Sequence, residues 1–268
     1  MRKLSIVIAF LFVLFGSCNT QEKLLKSNDV NLKFTKANEY YDQKKWLKAS
    51  QLYEKLMPAF KGTKNFEELY YRYAYTFYNM KDYLTASYQF KNFVDLFPKS
   101  VRADECEFMY ASCLFKMSPR AELDQTNTTK AIVVLQSYIN THPDSKNITQ
   151  ANNYIDIGRA KVELKDKKAA QLYYDMQEYK AASVAYQALI QSYPESTDIE
   201  LYQFMTIKSY FNYAKLSNSS KQEERYAEVV SAFAQLKEYY PKSNYIKEAQ
   251  QYVNTAQNTI NQLRNVHK

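Results

Sequence analysis

The sequence predicts an all-α protein, a right-handed α-solenoid of about five helix pairs closed by a C-terminal capping helix. Only three of the 268 residues are glycine, too few for the turns of antiparallel sheets or the glycine-rich loops of nucleotide-binding enzymes. A Pro-x-Ser sequence recurs four times, at separations of 45, 51 and 47 residues. Small and large apolar residues precede each of these prolines at helical spacing. These three observations define a helical repeat array.

Residues 1–17 predict a signal peptide that resembles those of bacterial lipoproteins. Arg2 and Lys3 precede an apolar run over residues 4–15. As a helix this run is about 18 Å long, too short for a hydrocarbon core of roughly 30 Å. Gly16 and Ser17 then lead into Cys18, which we expect to be cleaved free and lipidated. A plain secretory signal with an accidental cysteine is the alternative.

Residues 18–31 are mostly polar and are expected to form a tether between the lipid and the first helix. Acylation of Cys18 by more than one chain gives stable membrane residence. Asn19 follows the cysteine, and by resemblance to enterobacterial lipoproteins, aspartate there favours the inner membrane. We therefore expect a lipid-anchored protein of the outer membrane that faces the periplasm.

The repeat is visible as one spacing found four times. The four copies of the Pro-x-Ser sequence are Pro98–Ser100, Pro143–Ser145, Pro194–Ser196 and Pro241–Ser243. Proline disfavours helix at the residue before it, and the serine can cap the next helix. Twelve residues before each proline stand Ala86, Ala131, Ala182 and Val229, and eight before stand Phe90, Leu135, Tyr186 and Phe233. This pattern resembles the tetratricopeptide repeat over residues 32–264; an unrelated helical bundle is the alternative.

The repeats divide the mature chain into two parts. Residues 32–145 hold repeats 1–3, in which Pro58 predicts a short second helix for the first copy. An insertion at 118–127 separates the two helices of the third copy. Residues 146–268 hold a long linking helix over about 148–176, repeats 4 and 5, and a capping helix over about 244–263.

A lipidated cysteine, five such repeats and an insertion in the third together resemble the BamD family, the lipoprotein subunits of the outer-membrane β-barrel assembly machine. The resemblance spans about residues 18–264. It implies a scaffold that binds BamA, through its periplasmic POTRA domains, with the C-terminal repeats. It also implies that the N-terminal repeats receive unfolded barrel precursors and that other lipoproteins of the machine bind.

Six polar and aromatic residues are candidates for the precursor-binding groove. They flank the packing positions of the first helices in repeats 1 and 2: Asn38, Tyr41, Tyr71, Tyr75, Tyr78 and Asn79. Tyrosine rings bury apolar side chains, while hydroxyls and amides bond an extended peptide backbone. The alternative is that these tyrosines only pack helices together.

No residues predict chemistry. Two distant histidines and three scattered cysteines predict no metal site, and Cys106 and Cys113, seven residues apart on one helix, cannot bridge. The lysines and arginines that give the net charge of +8 are interspersed with acidic residues, unlike the basic stripe of a nucleic-acid-binding protein. We expect no enzyme, no cofactor and no nucleic-acid partner. A periplasmic adaptor for envelope constriction or peptidoglycan synthesis, and the superhelical domain of a lytic enzyme, are competing functions.

Overall fold

A computed structural model describes residues 21–266 of the chain, and within that range every regular element is a helix. The first, α1, covers 21–26. The others are α2 (Val30–Asp42), α3 (Trp46–Phe60), α4 (Phe66–Asn79), α5 (Tyr83–Leu96), α6 (Ala103–Lys116), α7 (Thr126–Thr141), α8 (Ile148–Asp175), α9 (Tyr179–Ser192), α10 (Ile199–Lys215), α11 (Ser219–Tyr239) and α12 (Ile246–Val266). Helices that follow one another in the chain pack against each other, which confirms the predicted all-α fold of consecutive helix pairs.

The chain forms two compact units, and the boundary between them falls within α8, after Arg159. In the first unit, one apolar cluster joins α1 to α4 and another joins α4 to α8. In the second unit, a single cluster joins α8 to α12. Each unit therefore has an apolar core of its own.

The small and large positions predicted from the repeat form these cores. Ala86, Ala131, Ala182 and Val229 are fully buried, and Phe90, Leu135, Tyr186 and Phe233 are buried one helical turn further on. A small side chain lets two helix axes approach closely, and the large one fills the space beside it.

Three turns between paired helices share one backbone conformation. Lys44, Lys81 and Gln177 have φ of 58°, 63° and 63°, the left-handed region that side chains other than glycine rarely adopt. Each occupies the middle of the short turn that joins α2 to α3, α4 to α5 and α8 to α9. Tertiary packing of the two helices therefore holds these residues against their local preference.

We expect Lys81→Gly to raise the free energy of unfolding by about 0.5–1 kcal/mol, because glycine adopts a φ of this sign without steric cost. Gln43→Gly is the matched control, since Gln43 lies in the equivalent turn with φ of −78°. That control is expected to lose about 0.5–1 kcal/mol through chain entropy. Urea denaturation measures both, and equal losses in the two variants would show that the turn carries no strain.

Three of the four Pro-x-Ser serines, Ser100, Ser145 and Ser196, tie their turns back to an earlier helix. Sequence reasoning gave them a capping role, but the N-cap of α6 is Arg102, not Ser100. Each hydroxyl accepts from the backbone N–H two residues on and donates to a carboxylate. The pairs are Ser100 with Glu67 at 2.7 Å, Ser145 with Asp104 at 2.9 Å, and Ser196 with Glu163. A turn and the first helix of its own repeat are thus hydrogen-bonded together.

Two expectations near the N-terminus were wrong. The second helix of the first repeat, α3, is not short, because Pro58 lies in its last turn and the helix continues to the buried Phe60. The Phe60 ring packs 4.7 Å from Phe34 between centroids, which holds that turn on the core. Within the expected tether, residues 21–26 are helical because Leu24 is buried in the α1–α4 cluster.

Helix α8 occupies the position of the expected long helix, and α7 begins at Thr126, inside the expected insertion over 118–127. The loop between α6 and α7 covers residues 117–125, and the buried Gln125 amide closes it by donating to the carbonyls of Arg120 and Leu123. A Cβ at Gly158 in α8 would lie 3.0 Å from the Ile132 side chain of α7, which would have to shift by a few tenths of an ångström.

Candidate functional site

Tyr41, at the C-terminal end of α2, connects the first repeat to the second. The Tyr41 ring packs edge-on against Trp46, with centroids 5.2 Å apart. The guanidinium carbon of Arg72, from α4, lies 5.0 Å from the centroid of the same ring. Aromatic contact and cation–π attraction thus fix the orientation of Tyr41.

Two arginines and a glutamate form an ion network beside these rings. Arg72 contacts Glu68 through Nε at 2.5 Å and Asp42 through Nη1 at 3.1 Å. Arg102 reaches the other oxygen of Glu68 at 2.5 Å, and its guanidinium lies 4.4 Å from the Tyr71 ring centroid. Burial alone would raise the pKa of Glu68, but hydrogen bonds and charge from the two arginines outweigh it and lower that pKa. Glu68 therefore stays ionised and holds both arginines.

The hydroxyls of Tyr71 and Tyr75 already have an acceptor inside the protein. Both donate to Oε1 of Glu105 on α6, Tyr71 at 2.8 Å. Burial, and then the hydrogen bond to Glu105, raises the pKa of both phenols. These hydroxyls are therefore committed to the α4–α6 contact.

The remaining candidates also contact their own fold. Tyr78 packs against Tyr83, with ring centroids 5.6 Å apart, and Lys116 lies over its ring. The exposed Asn79 donates to the Tyr75 carbonyl at 2.8 Å. Asn38 accepts from the hydroxyl of Tyr53 at 2.9 Å.

The structure thus brings the four candidate tyrosines together along α2 and α4. The hydroxyls of Tyr71 and Tyr75, the amide oxygen of Asn38 and the amide nitrogen of Asn79 hydrogen-bond within the protein. Ring and guanidinium surface remains for a ligand. We call this surface the tyrosine–arginine face and define it as Tyr41, Glu68, Tyr71, Arg72, Tyr75, Arg102 and Glu105. Sequence reasoning missed its charged members; the i, i+4 spacing of Glu68 and Arg72 was the available signal.

Two of the three cysteines lie within the described residues, and one does not. Cys18, the expected lipid site, lies outside the described residues. Cys106 and Cys113 are free and buried, and burial raises the pKa of the Cys113 thiol to about 12. Among residues 21–266, no group of three potential ligands is placed to hold a metal ion. No helix in that range combines the length and apolar character needed to cross a bilayer.

The second unit carries an open cleft between α11 and α12. Its volume is 620 Å³, and small and polar side chains, including Ala227, Ser231 and Asn258, line it together with Val230 and Ile260. At its rim, Nε of Arg264 contacts Glu223 at 2.7 Å.

Consecutive helix pairs that present such polar–aromatic surfaces define a helical-repeat scaffold, a class of protein that is typically non-catalytic. The model of a family described as outer membrane lipoprotein, YfiO, matches residues 26–173, more than half of the chain. The chain therefore belongs to the YfiO family of outer membrane lipoproteins. A tetratricopeptide repeat model matches residues 157–196, where α8 leads into α9.

Comparison with known proteins adds little beyond the family. No curated protein sequence matches this chain. A crystal structure of the apo form of RapI is similar over 87% of this chain and 99% of its own, at 13% identity. The TM-score of this similarity is 0.35.

Proposed function

We propose that this protein is a BamD-like scaffold of the outer-membrane β-barrel assembly machine, held in the outer membrane by a lipid on Cys18 and facing the periplasm. Membership of the YfiO family of outer membrane lipoproteins supports the location and the role in assembly. The single observation that carries the binding proposal is the tyrosine–arginine face, which the first three repeats contribute. The work proposed is recognition and positioning, without chemistry.

Unfolded barrel precursors are the proposed ligand of this face. The exposed parts of Tyr41, Tyr71 and Arg72 are flat ring and guanidinium surfaces, fixed in place by Trp46 and Glu68. Such surfaces suit the aromatic and apolar side chains of an extended strand, at low entropic cost because the receptor is already ordered. Peptide selection would rest on ring stacking rather than on the tyrosine hydroxyls.

BamA is the proposed partner of the C-terminal repeats, and the cleft between α11 and α12 is the candidate contact. It combines the apolar Val230 and Ile260 with amides and the exposed ion pair of Arg264 and Glu223. An apolar centre with a polar rim is the usual composition of a protein-binding surface.

The precursor-binding proposal predicts that loss of a tyrosine ring weakens peptide binding, whereas loss of the two hydroxyls does not. Tyr41→Ala should weaken binding of a peptide from a barrel precursor's terminal strand roughly tenfold, because one ring face and its cation–π partner are lost. The double variant Tyr71→Phe, Tyr75→Phe should bind as the parent does, because both hydroxyls donate to Glu105. Fluorescence anisotropy of a labelled peptide measures both affinities.

Tyr239→Ala is the matched control, since Tyr239 is an exposed tyrosine of α11 in the second unit. It should leave affinity unchanged, and circular dichroism checks that every variant remains helical. Equal affinity of Tyr41→Ala and the parent would remove the proposed peptide face. A mild-detergent pull-down tests the partner separately, because recovery of peptidoglycan-synthesis proteins without a POTRA-containing barrel would favour the envelope-adaptor function.

A further inference from the structure

Helix α1 fixes the chain close behind the expected lipid site. The Gln21 amide nitrogen donates to the carbonyl of Lys48 at 3.3 Å and to Oε1 of Gln51 at 3.4 Å, both on α3. Leu24, one turn later, is 9% exposed and belongs to the α1–α4 cluster. The position of Gln21 is therefore set by the first turns of α3.

A lipid on Cys18 would bring the bilayer surface to the same place. Three residue steps separate Cys18 from Gln21, and such a segment spans at most about 11 Å when fully extended. Gln21, which is hydrogen-bonded to the first turns of α3, would then lie within about that distance of the anchored cysteine. This step depends on the lipidation proposed above.

The turn between α2 and α3 has the composition of a membrane interface. Lys44 and Lys45 are exposed, and Lys48 is half-buried one turn further on. Between them stand the half-buried Trp46, the only tryptophan in the chain, and Leu47, which is 61% exposed. Basic heads beside an amphipathic indole and an exposed leucine suit the headgroup level of a bilayer.

Neighbouring acids do not neutralise Lys44 and Lys45 of this turn. Three carboxylates of α1 and α2 pair elsewhere: Glu22 with Lys26, Glu39 with Lys36, and Asp42 with Arg72. No carboxylate of the described residues forms an ion pair with Lys44 or Lys45. Lys23, on the exposed side of α1, adds a further positive charge. The surface is therefore complementary to anionic headgroups.

We propose that residues 44–48, with Lys23, dock on the anionic phospholipid headgroups of the leaflet that holds the lipid of Cys18. The lipid supplies attachment, and the basic turn supplies orientation, because a second contact beside the anchor restricts rotation about it. The first repeat then lies against the membrane in one defined orientation.

Trp46 is a built-in reporter for the test. The mature chain is coupled through the Cys18 thiol to maleimide-headgroup lipid in vesicles that carry brominated acyl chains; Cys106 and Cys113 are buried and do not compete. Vesicles of equal parts phosphatidylglycerol and phosphatidylcholine should quench Trp46 fluorescence, whereas phosphatidylcholine alone should not. Raised salt should remove the quenching, because the attraction is electrostatic.

The variant Lys44→Gln, Lys45→Gln should lose the quenching. When neither protein is coupled to lipid, the partition coefficient of this variant into the anionic vesicles should be about thirtyfold below that of the parent, because each lysine contributes about fivefold. Lys237→Gln, Lys242→Gln, at exposed lysines of the second unit, is the matched control and should behave as the parent. Three results would each overturn the proposal. They are no quenching in any vesicle, quenching in phosphatidylcholine vesicles equal to that in the anionic vesicles, and quenching that Lys44→Gln, Lys45→Gln retains.

The coupling supplies the anchor chemically. A negative result in the vesicles therefore contradicts the docking surface alone. Mass spectrometry of the protein from its own envelope tests lipidation of Cys18 separately, and the peptide titration tests the tyrosine–arginine face separately.

Discussion

Phe90→Ala is expected to lower the free energy of unfolding by about 3–5 kcal/mol. Phe90 is fully buried in the α4–α8 cluster, and its ring centroid lies 5.0 Å from Tyr75 and 6.4 Å from Tyr78. Truncation removes a large apolar side chain and leaves a cavity that the surrounding helices fill only in part. Since a domain is stable by about 5–15 kcal/mol, the loss is a large share of the total.

Tyr88→Ala is the matched control on the same helix. Tyr88 is 63% exposed, so its truncation should change stability by less than about 0.5 kcal/mol. Urea denaturation gives both values, and hydrogen exchange read by mass spectrometry should localise the loss to α4, α5 and α6. A small, equal effect of both variants would contradict the packing role of Phe90. Because Tyr75 and Tyr78 rest on Phe90, we also expect weaker peptide binding.

Raising the pH from about 10 to about 12 is expected to unfold the protein cooperatively. The pKa of four tyrosines, Tyr73, Tyr138, Tyr174 and Tyr186, is raised to about 12, in each case first by burial. Unfolded tyrosine titrates near 10, so the folded state favours the neutral phenol. The stability this contributes is complete below about pH 10 and is lost as pH rises toward 12.

Phenolate absorbance and circular dichroism, followed together during an alkaline titration, measure this transition. We expect helix loss to coincide with ionisation of the buried tyrosines, after the exposed ones have titrated. Tyr186→Phe should weaken the pH dependence because one ionisable buried phenol is gone, whereas Tyr239→Phe, at an exposed site, should not. Retained helix with all phenols ionised near pH 10 would contradict the prediction.

The helices and their pairing follow from local sequence rules, which is why they were predictable. Proline and the small–large spacing before it act within a single helix pair, and Ala86 and Phe90 were assigned to the core on that basis. Pro58 misled because its effect depends on where Phe60 packs. Leu24 misled because one buried leucine orders an otherwise polar segment.

The candidate site was predicted less completely, for a physical reason. Its tyrosines share faces of α2 and α4, and that much follows from helical spacing. Arg102 and Glu105 reach it from α6, so their roles depend on the distance between helices that are not neighbours in the chain. Helical spacing in a sequence gives the side chains that share a helix face. It does not give the hydroxyl groups that will hydrogen-bond to a second helix.

The serine–carboxylate hydrogen bonds define the length of the segment that each of them closes. Ser100 and Ser196 each lie 33 residues after their carboxylates. Ser145 lies 41 residues after Asp104, eight more, and the loop over 117–125 falls inside that interval. The third repeat thus accommodates eight further residues at the tip of its hairpin and keeps the hydrogen bond that closes it. Residues added at that tip would leave the serine–carboxylate hydrogen bond of the repeat intact.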